Sequence, residues 1–201
     1  MKTSVPKVPA LLCMFFLLNI SVNAKTHFPK PLELPNAEYN GCFVQFTDGT
    51  VKQFATLKLV TGIFKTPHLL ADDSISIFAD QVKAYQNENG FAISQKEIGD
   101  KTKTLVAKDV LPGFALRIVK GHLNIFSIKF YNGQNATEKL FVQHGTEGQI
   151  TVCTHELLEE LVKENTDAVA VLHTKNKQMN ITKKIVAAAE VYNSYKLLSK
   201  N

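Results

Sequence analysis

Apolar and polar residues alternate with a period of two along much of the chain. The pattern is clearest from Gly41 to Val60, GCFVQFTDGTVKQFATLKLV. Asp48-Gly49 lies between two β-rich runs, a strong hairpin signal. A two-residue type I′ turn there predicts Phe46 opposite Val51, Val44 opposite Gln53 and Cys42 opposite Ala55. Cys42, Val44, Phe46, Val51, Ala55, Leu57 and Leu59 would then share the buried face. Gln45, Thr47, Thr50, Lys52, Thr56 and Lys58 would share the polar one. Phe43 and Phe54 interrupt that polar face. They read as a facing aromatic pair in preference to a docking patch for a C-terminal helix.

Further strands are predicted at 63–70, 74–78, 81–86, 91–96 and 104–107. Asp72-Asp73, the run 87–90 and the run 99–101 supply the turns. Pro67 confines its strand to an edge or a bulge, because it cannot donate to a ladder. A second hairpin turning at Lys120-Gly121 places Leu116 opposite Ile125 and Ile118 opposite Leu123. Past it, Phe126, Ile128 and Phe130 fall on the opposite face, so the strand is either buried on both sides or bulged. Two more strands, 140–143 and 149–153, are joined through Gly145-Thr146-Glu147-Gly148.

After Cys153 the period changes from two to about 3.6. Thr154 can cap a helix over 155–163 with Leu157, Leu158, Leu161 and Val162 on one face. A shorter helix follows at 166–172, then a polar loop at 174–178. Asn180 can cap a last helix with Ile181, Ile185, Ala188, Ala189 and Tyr192 inward. Strands followed by helices predict an α+β fold with a mostly antiparallel sheet, a meander of hairpins, followed by C-terminal helices. Partial closure of the sheet into a barrel stays open.

Composition refines this picture at the N-terminus. Lys2 and Lys7 precede an apolar run, Ala10 to Ile20, that is too short to span a bilayer comfortably. Val22-Asn23-Ala24 then supplies the small residue that signal peptidases need, so 1–24 reads as a signal peptide. A Pro-rich extended lead-in follows at 25–36, and 37–201 reads as a single α+β domain, β-rich over 37–153 and helical over 154–201. The protein is expected to be exported, periplasmic or extracellular, with no stable transmembrane segment once the signal is removed. Lys2 and Lys7 account for two units of the formal charge of +5. The remaining charges are mixed along the chain, which argues against nucleic acid as a partner. Export makes a disulfide between Cys42 and Cys153 chemically possible; two separate buried thiols are the competing reading.

Candidate chemistry is sparse. His155-Glu156-Leu157-Leu158-Glu159 differs from the HExxH zinc motif in its last position. His155 and Glu159 still share a helix face, so a weak metal site is conceivable. Catalytic zinc would need a third ligand; His144 and His173 are candidates, with nothing in the sequence to place them. Cys153 beside His155 or His144 suggests a thiol nucleophile, against which stands a structural cysteine at a strand end. Asn180-Ile181-Thr182 and Asn135-Ala136-Thr137 match the N-glycosylation pattern, but Asn180 is more useful as a helix cap. No phosphate-binding glycine loop, GxSxG elbow or EF-hand loop is present. The sequence therefore assigns no catalytic residue, cofactor or metal.

The segments GCFVQFTDGTVKQ, DQVKAYQNENG, KLFVQHGTEGQITVC and AAEVYNSYK, together with the signal pattern, resemble a family of uncharacterised exported envelope proteins of Bacteroidota-type bacteria. The resemblance implies compartment and architecture, and brings no site residues with it. Two functions are expected from all this. The first is a non-enzymatic envelope protein, a β-rich scaffold or binding module for a protein partner or a small apolar ligand. The second is a hydrolase-like enzyme with a dispersed site using His144, Cys153 or His155. Convergence of those three side chains on a cleft would favour the second.

Overall fold

The computed structural model describes residues 41–62, 65–99, 109–131 and 136–199, all within one compact unit, Pro31–Asn201. The signal segment 1–24, the lead-in 25–36, the strand expected at 104–107 and the Asn135 pattern lie outside the described residues or at their margin. The strands are β1 Cys42–Phe46, β2 Val51–Phe54, β3 Leu57–Gly62, β4 Lys65–Ala71, β5 Ile75–Phe78, β6 Val82–Asn87, β7 Gly90–Ser94, β8 Phe114–Val119, β9 Leu123–Tyr131, β10 Ala136–His144 and β11 Ile150–Val152. The helices are α1 His155–Val162, α2 Thr166–Leu172 and α3 Ile181–Leu198.

Eight strands form one sheet in the order β11-β10-β9-β8-β7-β6-β1-β2, and β3-β4-β5 form a second. Every pairing is antiparallel. The α+β expectation is borne out. The end strands β11 and β2 do not pair, so the sheet is open and the barrel does not form.

The first hairpin sits one residue away from the expected register. Gln45 faces Val51, Val44 faces Lys52 and Cys42 faces Phe54. The turn takes three residues, not two: Gly49 N–H donates to the Phe46 carbonyl at 3.0 Å, and Phe46 N–H donates to the Thr50 carbonyl at 2.8 Å. Gly49 has φ +90°, which a type I turn followed by a left-handed residue requires. Asp48 Oδ1 accepts from both the N–H and the hydroxyl of Thr50, which holds its carboxyl below the usual range. The Phe43–Phe54 pair is also corrected. Phe43 is 3% exposed and packs against Phe91, while Phe54 sits opposite Cys42 on the other face.

The second run of that hairpin is not one strand. It breaks at Ala55-Thr56, where the chain leaves for the small sheet. Asp72 holds this crossing: its Oδ1 accepts from Thr56 N–H at 3.0 Å, and its own N–H donates to the Thr56 carbonyl. Asp72 and Asp73 both adopt left-handed φ in the β4–β5 turn, which aspartate tolerates better than most residues. Pro67 lies where the β3–β4 register shifts, at the expected bulge.

Three apolar clusters line the large sheet. On one face, Val44, Tyr85, Ala92, Phe114 and Leu116 pack with Leu57, Leu69, Ala71 and Ile77 of the small sheet. Farther along the same face, Val119, Leu123, Ile125, Leu140 and Val142 pack under the helices. The opposite face gathers Phe43, Phe91, Ile93, Phe126, Ile128 and Phe141. Strand β9 is thus buried on both faces from Leu123 to Ile128. Strand β8 also has a bulge near its end, so Val119, not Ile118, meets Ile125, and Leu116 faces Ser127.

The helices begin where their caps predict. Thr154 Oγ1 accepts from Leu157 N–H and Asn180 Oδ1 from Lys183 N–H. Leu158, Val162, Ile185, Ala188, Ala189 and Tyr192 are buried as expected, but Ile181 is 53% exposed. It sits in the first turn, before α3 reaches the sheet. No helix among the described residues is long and apolar enough to cross a membrane.

Cys42 and Cys153 are free thiols. Five strands lie between β1 and β11 in the sheet order, and a disulfide needs Cα atoms within about 7 Å. The bridge left open by the sequence is therefore not formed.

Candidate functional site

The described residues hold a cleft of about 360 Å³ at one end of the large sheet. The β8–β9 connection contributes Lys120, Gly121 and His122; the β10–β11 loop contributes Gly145 and Thr146; and α3 contributes Asn193, Lys196 and Leu197. Its lining carries two ammonium groups and an imidazole, and Leu197 is its one large apolar side chain.

Buried amides fix both loops. Leu123 N–H donates to Asn193 Oδ1 at 2.7 Å, and Asn193 Nδ2 donates to the Leu123 carbonyl at 2.9 Å. A Cβ on Gly121 would lie 2.4 Å from the Asn193 amide, so the close approach of loop and helix requires glycine. Asn124 Oδ1 accepts from Gly121 N–H, and Asn124 Nδ2 donates to Gln143 Oε1 and to the Gly145 carbonyl. Gln143, fully buried, donates to the carbonyls of Thr146 and Gly148. The cleft's walls are thus set by hydrogen bonds whose loss inside the protein would leave polar groups unpaired.

His122 and Lys196 of the lining belong to a titratable cluster. The His122 and His144 rings meet edge to face at 4.6 Å, and His122 lies 6.0 Å from the Tyr192 ring. Tyr192 donates to Glu164 Oε1 at 2.6 Å, and Lys196 also donates to this carboxylate. The Lys196 bond, then the Tyr192 bond, holds Glu164 below the usual carboxylate range. The same Glu164 contact raises Lys196. Tyr192 is raised first by burial and then by its bond to Glu164.

The residues singled out in the sequence separate into three places. His144 joins the cleft through His122. Cys153 lies under the helices among Leu158, Val162 and their neighbours, and burial pushes its thiol up to about 11. That keeps it protonated near neutral pH, which removes the thiolate a nucleophile needs. His155 pairs instead with Glu159, at 3.8 Å between Nδ1 and Oε2, and its ring meets that of His173 edge to face at 5.1 Å. Lys120, His122, Asn193 and Lys196 carried no signal as a group in the sequence. The one available clue was Asn193, four residues after Ala189 on the inward stripe of a helix, where an amide needs partners.

Comparison with known proteins found no matching family model, no similar curated protein and no similar solved structure.

Proposed function

We propose that the protein is an exported, non-enzymatic binding module whose ligand site is the cleft between the β8–β9 connection and α3. The observation that carries this reading is the lining itself. Lys120, Lys196 and His122 surround a preformed hollow whose loops are held by Asn124, Gln143 and Asn193. Preformed walls lower the ordering cost of binding. Lys196 is already paired with Glu164, so Lys120 is the cation that favours a small molecule bearing a carboxylate or phosphate over the protein partner or small apolar ligand expected from the sequence. Export rests on the basic start and apolar run of residues 1–24. The family resemblance points to the same compartment.

The hydrolase-like alternative gains no support from the geometry. Its thiol is buried and protonated, and its two histidines engage different partners. Titration of the mature chain with a panel of small carboxylates and phosphates, followed by NMR, tests the binding reading. We expect shifts centred on Gly121, Gly145 and Asn193, and affinity weakened by about ten-fold or more in Lys120→Glu, where an anion meets a like charge. Shifts elsewhere, or none with any of these anions, would overturn it.

A further inference from the structure

We infer that Glu164 sets the charge of the ligand the cleft accepts: by cancelling Lys196 it makes this a site for a small monocarboxylate, in place of a dicarboxylate or a phosphate monoester. The inference rests on the binding reading above and narrows it. Two ammonium groups line the cleft, in different surroundings. Lys120 is exposed and stands in no ion pair among the described residues. Lys196 has a side chain only 25% exposed and donates to Glu164. Its ammonium also lies over two rings, 5.4 Å from the centroid of Tyr192 and 5.8 Å from that of Tyr195.

Glu164 is not itself part of the lining. It occupies the junction between α1 and α2, just before Asn165. Asn165 is buried, and its Oδ1 accepts from Ala168 N–H at 2.7 Å, which caps α2 and fixes the junction. From there the carboxylate reaches α3, where its Oε1 accepts from Tyr192 at 2.6 Å and from Lys196. Both bonds favour the ionised carboxylate, so the cancelling charge persists near neutral pH. The cleft is left with one uncancelled ammonium, Lys120. Coulomb attraction scales with the ligand's own charge. A second anionic group on the ligand would meet a lysine that already carries a carboxylate, and would gain little there. If Glu164 were only a strut from the α1–α2 junction to α3, it would hold the helices together and leave the preference among ligands untouched.

Butyrate and succinate share a chain length and differ by one carboxylate, so the pair reads the charge preference directly. NMR titrations of the mature chain at constant ionic strength give both affinities. We expect the native chain to bind the two within about three-fold of each other, since only one free cation faces either. Glu164→Gln keeps the shape and the acceptor oxygen but removes the charge. In that variant butyrate should gain about three-fold and succinate about ten-fold, because one removed charge acts on a dianion roughly as the square of its effect on a monoanion. Lys196→Gln in the Glu164→Gln background should return succinate to its native affinity. Glu160→Gln takes the same charge from an ion pair with Lys163 outside the lining, and should leave both affinities unchanged. An unchanged succinate-to-butyrate ratio in Glu164→Gln, or an equal gain in Glu160→Gln, would overturn the inference with the anion site still standing. So would a native preference for succinate of about ten-fold or more. Binding of neither anion, by the native chain or by Glu164→Gln, would remove the binding reading as well.

Discussion

Asn193 acts as a substitute strand residue: its amide meets both the N–H and the carbonyl of Leu123. Asn193→Leu would keep the volume and leave both backbone groups buried and unpaired. We expect a loss of about 2–6 kcal/mol, from roughly 1–3 kcal/mol for each of the two unsatisfied groups, read by urea unfolding. Burial sets a second expectation for single residues. It raises the Tyr85 phenol from its usual 10.0 to about 12 and the Cys153 thiol from 9.0 to about 11. In the unfolded chain each group deprotonates earlier than in the fold. Both contributions are fully present below pH 9. Stability then falls as pH rises from 9 to 11 for Cys153 and from 10 to 12 for Tyr85, by about 2 kcal/mol each. Urea midpoints at pH 8 to 11 measure this, and Cys153→Ala should decline less steeply than the native chain between pH 9 and 11. Equal slopes would mean that the thiol is better solvated than its packing indicates.

At the scale of single elements, the helices and the first hairpin show what a sequence can and cannot carry. Thr154 and Asn180 announce their helices because a cap acts within three residues. Asp48-Gly49 announces a turn equally well, yet the register came out one residue away. A period of two selects a register only when one face is wet, and β1 buries Phe43, Val44 and Gln45 in succession. The break at Ala55-Thr56 was illegible for another reason: the residue that holds it, Asp72, lies sixteen positions on. His173 was unplaced in the same way, since the packing of α1 on α2 decides where it lies. The observed register makes its own claim. Phe43→Ala should cost about 3–5 kcal/mol, as buried phenylalanine truncations do. Lys52→Ala should stay within about ±0.5 kcal/mol. Gly49→Val should destabilise, because φ +90° resists a β-branched residue. Urea melts rank the three, and a neutral Phe43→Ala would return the hairpin to the register expected from the turn dipeptide.

At the scale of the folded unit, the small sheet and the helical layer never need to touch for their stabilities to be coupled, because both rest on strand β8. Phe114 and Leu116 of β8 pack toward the small sheet, while Val119, just past the bulge, packs under the helices. Ala115 of β8 and Phe126 of β9 belong to the cluster on the other face. Loss of any one cluster therefore strips apolar cover from strands that the other two use. Pulling the helices away would expose Leu123 and Ile125, and with them the β9 ladder that carries Phe126 and Ile128. We accordingly expect one cooperative transition in urea, with far-UV dichroism of the helices, near-UV signal from the buried tyrosines and reactivity of the Cys153 thiol all sharing a midpoint. Cys153 is the sharpest of these probes, since it lies where β11 hands over to α1. Should its thiol become reactive at lower urea than the near-UV signal of Tyr85 is lost, the helices open as a separate unit. The shared strand would then not be enough to bind the layers into one transition.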